Sequence, residues 1–238
     1  VTVPIAGKMS DIFGRRKILL SGVVIFVLGS FLSGGALDIN QLIFARAFQG
    51  IGGGIIMANA FTIAGDLFSP RERGKWQGLI GAVFGLSSVI GPLLGGFLTD
   101  PHTFLGLTTN WRWTFWINVP IGIVSFAIIA KYLPVIRHDH RPKIDYLGAS
   151  FITVALASLI LAVDNTDKVF ASLIDDGSSL TAIKTVLYSL TALATAGFIW
   201  AERRANEPII PLRFFRNRNF SLFMLIALLF GAAFLGAI

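Results

Sequence analysis

Residues 7–19 read GKMSDIFGRRKIL, a short, strongly basic stretch wedged between apolar runs. Lys8, Arg15, Arg16 and Lys17 crowd around one acid, Asp11, and two glycines, Gly7 and Gly14. Downstream follow ILLSGVVIFVLGSFLSGGAL (18–37) and LIFARAFQGIGGGIIMANAFTIAG (42–65). Each supplies the about 20 predominantly apolar residues that cross a bilayer. A basic cluster between such runs orients a membrane chain, because Lys- and Arg-rich loops stay on the cytoplasmic side. The stretch points to an all-α integral membrane protein.

Composition agrees. The 238 residues are 54% hydrophobic and 14% charged. Soluble domains carry about 25% charged residues. Mean hydropathy is +0.74. The 21 phenylalanines and 25 glycines suit lipid-facing and helix-packing surfaces. Cysteine is absent, which excludes disulfides and thiolate metal sites. A net charge of +7 would suit nucleic acid, but the basic residues sit in short loops between apolar spans, so no nucleic-acid partner is expected. The chain opens inside one apolar run and closes inside another, as expected of part of a longer protein.

Residues 1–6 read as the tail of a helix. Full spans are expected at 18–37, 41–64, 76–99, 112–133, 145–164 and 181–201, with a further one starting near 218. Loops 8–17, 71–75, 131–143 and 203–218 hold all 20 Lys and Arg except Arg46, Arg112, Lys168 and Lys184. The opposite loops are poor in base, and Asp164, Asp167, Asp175 and Asp176 make one of them acidic. This alternation predicts a multi-pass protein of the plasma membrane (a cell inner membrane), with 8–17, 65–75, 134–144 and 202–217 cytoplasmic. Trp111, Trp113 and Trp116 mark an outer interface.

Several polar residues stand out against this background. Arg46 lies inside an apolar helix, where a cation either faces the bundle interior or snorkels to the headgroups. Gly91, Pro92, Gly95 and Gly96 combine a proline kink with a face that lets another helix approach closely. Asp66 lies on the same side of the membrane as the basic stretch. It is expected to pair with Arg15 or Arg16, while Asp11 caps a helix N-terminus in an opposite bundle; the alternative is solvated loop charge serving topology alone. His102, His138 and His140 are loop residues without convincing metal spacing. No Gly-rich phosphate loop is present, and Asp145 and Asp164 stand at helix ends rather than at mid-membrane. No metal, cofactor or enzymatic constellation is expected.

The spacing of Gly7, Asp11, Gly14, Arg15 and Arg16 resembles the loop signature of the major facilitator transporters. Met9 stands where leucine is usual and Ile12 where arginine is common. Leu42, Arg46, Gln49, Gly50 and Gly52 resemble the family's fourth-helix motif, whose arginine is proposed to assist proton transfer. Gly78, Gly91, Pro92, Gly95 and Gly96 resemble its antiporter motif, with Ser87 in place of a glycine. WRWTFWINVPIG (111–122) and AERRANEPIIPLRFFRNRNFS (201–221) resemble segments of the fourteen-helix drug:proton antiporters.

The resemblance implies a partial major facilitator fold, from the end of helix 2 to the start of helix 9 of 14. Residues 1–133 would belong to an N-terminal six-helix bundle and 134–204 to an extra two-helix hairpin with its linker. Residues 205–238 would form a linker and the first helix of a C-terminal bundle. Gly7, Asp11, Gly14, Arg15, Arg16 and Asp66 would form a conformational latch. Arg46, Gln49 and Asn118 would serve proton transfer or the cavity; for Asn118 a plain helix start is the alternative. The implied function is export of small hydrophobic or cationic compounds in exchange for protons by alternating access. Its partners would be substrate, protons, the lipid bilayer and the remaining helices of the same polypeptide. Export of a metabolite, siderophore or amino acid is the rival within transport, and a non-transporting sensor or scaffold the rival outside it.

Overall fold

The structure is a computed structural model describing residues 2–104, 107–135, 145–163, 166, 170, 177–205 and 208–236. His138, His140, Asp164, Asp167, Lys168, Asp175 and Asp176 lie outside these residues, as does most of the linker expected at 134–144.

The chain forms two compact units, Val1–Pro142 and Lys143–Ile238. The first holds α1 (Val3–Phe13), α2 (Arg15–Gly35), α3 (Ile39–Leu67), α4 (Pro70–Thr99), the short α5 (Trp113–Trp116) and α6 (Asn118–Tyr132). Between α4 and α5, strands β1 (Thr103–Phe104) and β2 (Leu107–Thr108) pair antiparallel, with Thr103 opposite Thr108. The second unit holds α7 (Tyr146–Val163), α8 (Gly177–Arg204), a 3-10 turn (Leu212–Arg216) and α9 (Arg218–Gly236). Among the described residues, six helical stretches are long and apolar enough to span a membrane: Arg15–Gly35, Ile39–Leu67, Pro70–Thr99, Trp113–Tyr132, Tyr146–Val163 and Ser179–Arg204.

Two stretches expected as loops are helical. The basic stretch at 8–17 is helix on both sides of one residue: α1 continues through Asp11 to Phe13, and α2 starts at Arg15. Gly14 turns the corner alone at φ 95°, a conformation that penalises any side chain. Charge marks a segment as solvated, not as non-helical, and residues 8–13 contain neither Pro nor Gly to stop a helix. Residues 71–75 likewise form the first turns of α4. Ser69 is the N-cap, Pro70 fills the first turn where its missing N–H costs nothing, and the Ser69 hydroxyl donates to Glu72 Oε2 at 3.1 Å.

Small residues bring α2 and α3 together at backbone distance. A Cβ on Gly29 would lie 2.6 Å from Gln49 Cα, and one on Gly52 would lie 2.7 Å from the Gly22 carbonyl oxygen. Such approach is how helices associate where burial from water offers no gain. In the second unit, α7 and α8 pair through Gly197 against the Phe151 ring and a Ser158–Thr191 hydroxyl hydrogen bond of 2.9 Å. The Glu202 carboxylate accepts the backbone N–H groups of Ile209 and Ile210, folding the following segment back on the end of α8.

Candidate latch and membrane-helix arginine

Two arginine sites lie at opposite ends of α3. The first is built on the Gly14 corner. Arg15 is only 5% exposed. Its Nε donates to Asp66 Oδ2 at 2.7 Å, and its Nη2 meets Asp11 Oδ1 at 2.5 Å. Its Nη1 donates to Ser10 Oγ and, at 3.4 Å, to the Gly7 carbonyl. The Ser10 hydroxyl, fully buried, donates in turn to that carbonyl at 2.7 Å. Every face of the guanidinium is therefore met, as a buried cation requires. The corner makes this possible, because it folds α1 back so that Asp11 and Gly7 face the first residue of α2.

Arg16 takes the other direction. It donates to the Ala130 carbonyl, one of the last four of α6, which lack intrahelical partners. The two adjacent arginines thus tie α2 to different neighbours, Arg15 to α1 and α3, Arg16 to α6. Of the two pairings expected for Asp66, the one present is with Arg15. Within this chain Asp11 faces Arg15. Gly7 contributes its carbonyl, and a Cβ there would meet nothing within 4 Å.

The second site surrounds Arg46. Its Nη1 donates to Gln49 Oε1 at 2.5 Å. Gln49 is 3% exposed and donates its amide to Ser30 Oγ on α2; Ser30 is fully buried. The guanidinium carbon stands 5.4 Å from the Phe115 ring centroid, within cation–π range. Among the described residues no carboxylate comes within ion-pair distance of Arg46. Asn118 turns to its own helix, its amide donating to the Thr114 carbonyl at 3.4 Å, and is not hydrogen-bonded into the Arg46 group.

The glycine- and proline-bearing helix is α4, which runs through Pro92 to Thr99. No residue of α4 is buried, and Cβ atoms on Gly78, Gly91, Gly95 or Gly96 would meet nothing within 4 Å. This face is uncovered among the described residues, whereas Gly22, Gly29 and Gly52 are tightly occupied.

Sequence reasoning missed Ser10, Ser30, Phe115 and the bonding of Arg112. Ser10 and Ser30 carry a weak signal, as lone hydroxyls in otherwise packed helix faces. Phe115 and Arg112 fall within the 111–122 segment, whose resemblance assigns neither a role.

Membrane-length helices, an arginine set into one of them and an ion-paired corner at the start of another are the features of a polytopic helical membrane protein. The sequence profile of the Major Facilitator Superfamily matches residues 1–238, and the chain belongs to that family of membrane transporters. Multidrug resistance protein 3 of Bacillus subtilis (strain 168) is 42% identical over 233 residues, covering 98% of this chain and 43% of the relative. Multidrug transporter protein MdtP of the same strain is 39% identical over 236 residues, covering 99% and 41%. The acurin A biosynthesis cluster MFS-type transporter of Aspergillus aculeatus is 34% identical over 238 residues, covering 97% and 40%. The chain thus spans less than half the length of these relatives.

Proposed function

We propose that this chain is the N-terminal portion of a fourteen-helix plasma-membrane exporter that expels small hydrophobic or cationic compounds in exchange for protons. Residues 1–133 serve in the first bundle, 134–204 form the extra hairpin, and 205–238 lead into the second bundle. The observation that carries the reading is Arg46, a cation in an apolar helix with, among the described residues, an amide and an aromatic ring beside it and no carboxylate in reach. An intramembrane charge of this kind is costly and marks an ion or substrate pathway. Its field favours loss of a proton from any nearby carrier, which suits a relay that must release protons on one side. Two relatives are named for multidrug resistance or transport, which supports drug-like substrates.

The Arg15 cage supplies the conformational element. It holds α1, α2 and α3 together at one membrane side, and the bare face of α4 is free to meet the second bundle. Alternating access is then rocking of one bundle against the other around a midplane cavity. The relative named for acurin A biosynthesis favours a second reading, export of an endogenous metabolite by the same machinery.

Dye efflux from vesicles bearing the full-length protein tests the proposal. Efflux is expected to follow an imposed proton gradient and to stop on addition of a protonophore. Protonophore-insensitive efflux would reject proton exchange; a cell's own metabolite outcompeting every dye would favour the second reading.

A further inference from the structure

Helix α2 and the α5–α6 span run antiparallel, and each end of the pair is closed by an arginine. At one end Arg16 of α2 donates to the Ala130 carbonyl of α6. At the other, Arg112, at the N-terminal boundary of α5, donates to the Gly34 carbonyl at 2.8 Å and the Ala36 carbonyl at 2.5 Å. Both acceptors lie at the C-terminal end of α2, where orphan carbonyls concentrate the negative end of the helix dipole. Charge-assisted bonds to such groups are among the strong ones. Trp111 covers Arg112, with its ring 4.7 Å from the guanidinium carbon. One turn on, Trp116 lies directly over Gly34, where any Cβ would overlap the indole. On the same turn of α5, Phe115 faces Arg46 of α3.

We infer that Arg112 is a positioning residue: by gripping the last carbonyls of α2, it sets α5 at the height that places Phe115 over the Arg46 guanidinium. Beside the grip, Trp116 packs over Gly34, but its indole N–H has no hydrogen-bond partner among the described residues and so fixes no height. Arg112 stands at the end of a span and touches neither Arg46 nor Gln49, so its influence on them passes through α5. The transport consequence rests on the reading of Arg46 proposed above; the grip itself does not.

The test uses the full-length protein in lipid nanodiscs and vesicles. Arg112→Ala is expected to speed hydrogen exchange about tenfold over Ser33–Leu37, with Arg112→Lys partly restoring protection. It should also lower saturated efflux about fivefold without changing membrane insertion. Phe115→Ala should give a similar loss, and the double variant no more than either single one, because both act through one contact. Unchanged exchange in Arg112→Ala would overturn the grip, and strictly additive efflux losses would overturn the route through Phe115. If Arg46→Ala leaves proton-coupled efflux intact, the Arg46 reading fails, while the exchange result still decides the grip.

Discussion

Arg15 and Arg46 are the same side chain in two opposite settings. The Asp66 that holds Arg15 and Arg46 itself are twenty positions apart on α3, about 30 Å along the axis. Arg15 is buried and closed: two carboxylates, a hydroxyl and a carbonyl meet it. Arg46 is open: one amide and one ring flank it, with no acid in reach among the described residues. A caged charge is neutralised where it stands, so it holds elements together and acts only when the cage breaks. An uncompensated charge keeps its field and can act on whatever enters beside it. On the function proposed above, the difference separates a structural or switching role from a relay role.

The cage is the place to break first. Arg15→Ala leaves Asp66 and Asp11 without their cation and is expected to cost about 3–5 kcal/mol of stability, with efflux lost. Asp66→Asn keeps the shape and removes one charge, so it should cost less while still impairing efflux. Thermal unfolding in detergent reads the first effect and vesicle efflux the second. An Arg15→Ala protein as stable as the parent would mean that the cage carries no load.

The open site should behave the other way round. Arg46→Ala is expected to leave stability within about 1 kcal/mol, because no buried carboxylate is orphaned, yet to lower proton-coupled efflux at least tenfold or so. Gly29→Ala sharpens the point without touching the arginine. Its Cβ would lie 2.6 Å from Gln49 Cα, so Gln49 must move and Arg46 loses its amide partner. The expected result is about 1–3 kcal/mol of destabilisation from overpacking, with a partial loss of efflux. A stable Gly29→Ala protein with normal efflux would show that the Gln49–Arg46 contact is incidental.

Which parts were legible in the sequence follows from where their physics resides. Membrane spans are set by the length of apolar runs, so the spans expected at 18–37, 41–64 and 112–133 lie close to helices Arg15–Gly35, Ile39–Leu67 and Trp113–Tyr132. The Arg15–Asp66 pair was legible because opposite charges on one side of a membrane have few other partners. The helical state of residues 8–13 was not, because charge reports solvation and says nothing of backbone conformation; only Gly14 adopts a conformation that breaks the helix. Arg112 stands in the 111–122 segment, but its bonding was not legible, because its partners are the carbonyls of Gly34 and Ala36, which have no side-chain signature. Ser30 showed only weakly, as a lone hydroxyl, because its partner, Gln49, lies on the neighbouring helix.

Ser30 gives the finest cut through the comparison. Its hydroxyl receives the Gln49 amide N–H, which commits the amide oxygen to Arg46. Ser30→Ala removes that orientation and leaves one amide N–H of Gln49 buried without an acceptor, at a cost of about 1 kcal/mol. Rotating the amide gives no relief, because its NH2 group would then face the guanidinium and its oxygen the alanine methyl, so Gln49 is left without a fixed orientation. Efflux should fall only about twofold to threefold, the smallest of these effects. Ser30→Thr keeps the hydroxyl but adds a methyl group where Gly29 already brings α3 to backbone distance, so it should be worse than Ala in stability and better in orientation. If Ser30→Ala and Ser30→Thr impair efflux in proportion to their stability alone, Gln49 needs no orienting partner, and Arg46 stands more exposed than its two neighbours suggest.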